Sequence, residues 1–128
     1  MLQVDFLEAG SADCPLIRIA GGDVSTYRLL HARIVELAAG KTDAVAIEQI
    51  AGISSSDGTR LTAVRFGFNQ GVARGDTNRT FEWRLTEGTW DNVAGLLEPF
   101  CQPRQRDGFQ RIESAGDIRV VVTTNGQW

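Results

Sequence analysis

Histidine and lysine are nearly missing from this chain: His31 and Lys41 are the single examples of each in 128 residues. Any Ser-His-Asp or Cys-His mechanism would therefore have to run through His31. That residue falls at the edge of a predicted helix's apolar face, where a half-buried, hydrogen-bonded histidine is the ordinary occupant. Cysteine is scarce too. Cys14 and Cys101 are too few for a disulfide scaffold, and no CxxC or Cys/His cluster offers zinc a ligand set, so free buried thiols are expected. No apolar run approaches the roughly 20 residues that span a bilayer. The opening MLQVDFLEAG carries acids and no basic n-region, so no secretory signal is expected and the cytoplasm is the default location. Acids outnumber bases 16 to 13, for a net charge of −3, which argues against a dedicated nucleic-acid binder.

What is present describes one domain. The length suits a single core, and the 42% hydrophobic content is ordinary for a globular chain. No internal repeat or low-complexity tract divides it. Charge is uneven: residues 1–58 hold four basic and eight acidic side chains, residues 59–128 nine and eight. All nine bases of the second half are arginines, which genomic base composition explains and which also suit bidentate pairing at interfaces.

The clearest helix lies in residues 86–101, TEGTWDNVAGLLEPFC. Trp90, Val93, Ala94, Leu96, Leu97, Phe100 and Cys101 share one broad side at 100° per residue. Thr86 is the natural N-cap, and Pro99 predicts a kink or end near residues 98–101. A first helix is predicted over residues 24–39, capped by Asp23 or Ser25 and closed by Gly40. Its apolar side carries Tyr27, Leu30, Ile34, Leu37 and Ala38. Leu29 falls among the polar residues, ordinary when alone but of interest if neighbours extend it into a patch.

Strands are predicted at residues 2–8, as an edge, and at 15–20, 43–50, 61–68, 80–85, 109–113 and 117–124. In the 61–68 and 80–85 pair, alternation puts Val64, Phe66 and Phe68 on one face of the first strand and Phe81, Trp83 and Leu85 on one face of the second, together an aromatic inner face. A long-looped antiparallel hairpin is expected, with Phe66 opposite Phe81, Val64 opposite Trp83, and Arg65 opposite Glu82 rather than Arg84. The last two strands pair across residues 114–116. The fold class is therefore α+β: a mostly antiparallel sheet of about six or seven strands with two amphipathic helices on one face, in the order β-β-α-β-β-β-α-β-β.

Chemistry is sparse. IAGGDVSTYR runs from strand to helix but lacks GxGxxG and GxxxxGK[ST], so it reads as a plain turn. Asp76, Asn78, Thr80 and Glu87 imitate a calcium loop, but Phe81 stands where glycine is required. Catalytic residues, metal and cofactor are all expected to be absent. The leading expectation is a non-catalytic domain that associates with itself or with a protein partner, with Leu29, Arg74, Arg79 and the terminal Trp128 as candidate interface residues. The alternative is a small-molecule-binding or enzymatic domain with a pocket between sheet and helices near His31, Trp83 and Trp90. Neither reading calls for nucleic acid or a membrane.

Overall fold

The computed structural model describes residues 2–11, 14–102, 108–112 and 116–125. Eleven elements follow in order: β1 (Leu2–Ser11), β2 (Cys14–Ala20), α1 (Val24–Ala38), β3 (Ala44–Ala46), β4 (Ile53–Ser54), β5 (Arg60–Arg65), β6 (Gly71–Arg74), β7 (Thr80–Leu85), α2 (Glu87–Leu97), β8 (Phe109–Ile112) and β9 (Arg119–Thr123). The expected α+β order holds, with β4 and β6 added. The single, mostly antiparallel sheet does not: the strands form two mixed sheets, ordered β4-β1-β2-β9-β8 and β3-β5-β7-β6.

Asp23 holds the N-cap position of α1, but its side chain makes no capping hydrogen bond to the helix backbone. Its carboxylate accepts hydrogen bonds from the Ser25 hydroxyl and the Thr26 hydroxyl, each at 2.8 Å. At the other end Gly40 takes φ +78°, the Gly40 amide donates to Leu37 O and the Lys41 amide to Glu36 O. That pair of bonds satisfies carbonyls the helix would otherwise leave open. Thr86 caps α2 by accepting from the Thr89 amide at 3.4 Å, and α2 passes into a tight 3₁₀ turn over Glu98–Cys101, where Pro99 lacks an amide proton.

In the larger sheet β1 is not an edge. It pairs antiparallel with β2 and parallel with the two-residue β4. β2 in turn pairs parallel with β9, Leu16 opposite Arg119 and Ile19 opposite Val122. In the smaller sheet the expected β5–β7 hairpin is overturned. These strands run parallel, with Leu61 opposite Phe81, Ala63 opposite Trp83 and Arg65 opposite Leu85. The residues between them form β6, which makes the antiparallel hairpin with β7 instead. Residues 66–70 arch over the end of β7 to reach its far side. The Phe66 amide donates to Leu85 O, the Gln70 amide to Arg84 O, and the Thr86 amide to Asn69 Oδ1. The strand expected over residues 43–50 is cut at Ala46. Glu48 turns back through a 3₁₀ turn so that its carboxylate accepts the Leu61 amide at 2.7 Å.

The core lies between the two sheets and the helices. Tyr27, Leu30, Ile34 and Leu37 of α1 and Trp90, Val93, Ala94 and Leu97 of α2 all enter it. Trp83 and Trp90 meet edge to face at 4.8 Å, and Phe6 of one sheet meets Phe81 of the other at 4.7 Å. Burying Trp90 alone removes about 150–250 Å² from water, on the order of 4–6 kcal/mol.

The sheets are also clasped by charge. Asp57, in the loop before β5, accepts from the Phe6 amide at 3.1 Å and from Arg79 at 2.9 Å, while Arg79 donates to Phe6 O at 3.2 Å. Arg79 holds φ +63°, an uncommon conformation for a side-chain-bearing residue, which these bonds sustain.

Candidate functional site

Among the described residues the interior offers no room for a ligand. The void between sheets and helices, lined by Trp83 together with Ile34, Val93 and Leu97, measures about 10 Å³, near the least volume that holds one water. Trp90 is fully buried and donates its indole N–H to Val64 O at 3.0 Å. His31 stands apart from this pair, at the α1–α2 surface, with Nε2 4.0 Å from Glu98 Oε1. The structure thus brings Trp83 and Trp90 together and leaves His31 outside. Among the described residues no group of three or more His, Cys, Asp or Glu side chains is close enough to hold a metal. No described helix is long and apolar enough to cross a membrane. Cys101 is a free thiol whose Sγ–H donates to Leu97 O; burial pushes its pKa up, so it is held protonated.

The surface is more informative. Strand periodicity gives the smaller sheet two faces. Leu61, Ala63, Phe81, Trp83 and Leu85 point into the core and are buried. Their neighbours Thr62, Val64, Glu82 and Arg84, with Ala44, Ala46 and Ala73 of the flanking strands, occupy the other face, and none of them is buried. No described helix covers that face, since both helices bury their apolar sides in the common core.

At one end of the bare face stand Phe66 and Phe68, expected from alternation to point inward. They are 36% and 60% exposed and meet edge to face at 4.9 Å. The row that faces the core is Leu61 and Ala63, so Phe66 continues the outward row of Thr62 and Val64 as the chain leaves β5 for the arch. The Arg84 guanidinium lies 5.3 Å from the Phe66 ring centroid and pairs with Glu82 at 2.9 Å.

Leu29 belongs to a patch after all. It is 47% exposed and lines a groove of about 430 Å³ with Ala32, Ala46, Ile50 and Ala51. The Arg33–Glu36 pair, 2.9 Å apart, sits on its rim. Ala46 belongs to both groove and bare sheet face, so the two surfaces join around β3, the edge strand of its sheet.

The arginines divide. Arg79 is committed to the internal clasp. Arg74 lies with Cζ 5.1 Å from the Phe6 ring centroid and 5.9 Å from that of Phe81. Trp128 lies outside the described residues, as do Arg104 and Arg106.

Comparison with known proteins finds no family model, no characterised protein and no solved structure that matches this chain.

Proposed function

We propose that this domain works by association with a second copy of itself, through the bare face of the smaller sheet and the Phe66–Phe68 pair. One observation carries the reading: core and helices occupy one side of that sheet and leave the other open, edged by two phenylalanines that touch each other rather than the core. Exposed aromatics and arginine, here Phe66, Phe68 and Arg84, are the residues in which interfaces are enriched. Desolvating Phe68 alone is worth roughly 2–3 kcal/mol.

Charge argues for a second copy as the occupant. Glu82 and Arg84 sit two residues apart on one strand at the middle of the face. A two-fold axis between them sets each Arg84 against the other copy's Glu82, and such self-complementarity is what an isologous interface requires. The face is built from four short strands of three to six residues, so the dimer is expected to be weak and to dissociate on dilution.

Light scattering over a dilution series tests this. The expected mass moves from dimer to monomer as concentration falls. Phe68→Ser shifts the midpoint to higher concentration. Glu82→Arg abolishes the dimer by opposing like charges, and adding Arg84→Glu restores it while the circular dichroism of the fold is retained throughout. A monomer at every concentration sinks the proposal.

A further inference from the structure

A cleft of about 700 Å³ lies between β6 and the strand ends that carry Pro15 and Arg119. That is the size of a small-ligand pocket, which runs to about 300–1,000 Å³. One wall is Gln70, Val72 and Arg74, alternate positions that a strand presents on a single face. The other wall includes Pro15, Asp117 and Ile118. Val72, Pro15 and Ile118 make the lining partly apolar.

Arg74 distinguishes this cleft. Arg65, Arg79 and Arg84, in the smaller sheet and its loops, are each paired with an acid, whereas Arg74, like Arg119 on the facing wall, has none within ion-pair distance among the described residues. The Arg74 guanidinium lies instead within cation–π distance of the Phe6 and Phe81 rings. Its N–H donors are left for an acceptor that no described residue supplies. Gln70 adds a second donor. Its Oε1 accepts from Arg84 at 2.8 Å, which orients the carboxamide and leaves its NH₂ available. Arg74 and Arg119 against the single Asp117 leave the lining with one net positive charge, which favours one negative charge in the cleft and opposes a second.

We propose that this cleft binds a small organic monoanion, with a flat apolar body between Val72 and Ile118 and a carboxylate on the Arg74 guanidinium. Gln70 reaches the association surface through its bond to Arg84, but Arg74, Val72 and Ile118 lie outside it, so Arg74→Gln tests this proposal while leaving Phe68, Glu82 and Arg84 in place.

The test is a titration of isotope-labelled protein with naphthoate, neutral naphthamide and inorganic phosphate, read by amide chemical shifts. Naphthoate is expected to bind saturably, with shifts at Val72, Arg74 and Ile118. Naphthamide is expected to bind about tenfold more weakly or worse, as is naphthoate to Arg74→Gln, the loss that a charged hydrogen bond brings. Unchanged naphthamide affinity in Arg74→Gln shows that the apolar walls survive the substitution. Equal affinity for naphthoate and naphthamide in the native protein overturns the proposal without recourse to any variant. So does the absence of saturable naphthoate binding, or shifts gathered at Phe66 and Phe68. Phosphate binding as tightly as naphthoate overturns the apolar part of the assignment.

Discussion

Single residues set the local limits of this fold, and two glycines show the contrast. Gly52 takes φ +87°, and a Cβ there would meet Thr26 Oγ1 at 2.5 Å. Thr26 is 3% exposed and its hydroxyl is tied to Asp23, so it has nowhere to go. Gly52→Ala therefore combines backbone strain with a clash, and is expected to cost about 1–3 kcal/mol. Gly95 lies in α2, is exposed, and has nothing within 4 Å of the place an alanine methyl would take. Gly95→Ala is expected to stabilise by about 0.5–1 kcal/mol through helix propensity alone. Thermal melts of the two variants should move in opposite directions; a neutral Gly52→Ala would mean that residues 50–53 shift freely, contrary to the bonds that hold them.

At the scale of elements, α2 is fixed to the smaller sheet by Trp90, whose ring packs on Trp83 and whose indole N–H bonds Val64 O. Trp90→Phe keeps an aromatic ring but leaves that carbonyl without its donor and a void beside it. Denaturant unfolding should report a loss of about 2–3 kcal/mol. A loss well under that figure would show the hydrogen bond and the fit to be dispensable. Elements of this kind are legible in the sequence because their signals are local. Thr86 and Pro99 bracket α2, Gly40 closes α1, and residues 80–85 alternate cleanly along the whole of β7. Partnership is not legible. Nothing near residues 61–68 says that β6 intervenes, so alternation alone predicts an antiparallel β5–β7 pair where the strands run parallel. Phe66 falls in phase with the outward Thr62 and Val64, and alternation alone does not say which row faces the core. Leu29 is visible as an exposed leucine, but its groove draws on residues 45–51, and the cleft at Arg74 joins two sheets whose contributing segments lie far apart in the chain.

For the molecule as a whole, the clasp of Asp57, Arg79 and Phe6 joins the loop before β5 to β1. Burial pushes the Asp57 carboxyl up, but hydrogen bonds from Thr59, the Phe6 amide and Ser55 outweigh it and hold the pKa below its ordinary value. With the folded pKa depressed, the unfolded chain binds the proton more readily. The clasp's contribution is therefore full above the ordinary carboxylate pKa of about 3.9 and is lost as pH falls through the lower folded value. The stability gap between native protein and Asp57→Asn should be constant near neutrality, shrink below about pH 4, and close in stronger acid. A gap that stays the same across that range would show that the clasp works by shape and not by charge.

The arch of residues 66–70 has a consequence in time. β5 and β6 come before β7 in the chain but flank it in the sheet, so the central place between them stands empty until residues 80–85 have been made. A vacant slot between two strands is a template for any extended chain, including that of a neighbouring ribosome's product. The rightful occupant follows Arg74 after only the short segment 75–79. At ordinary rates of synthesis that interval is on the order of one second. The short hairpin between β6 and β7 thus delivers the central strand soon after its second neighbour.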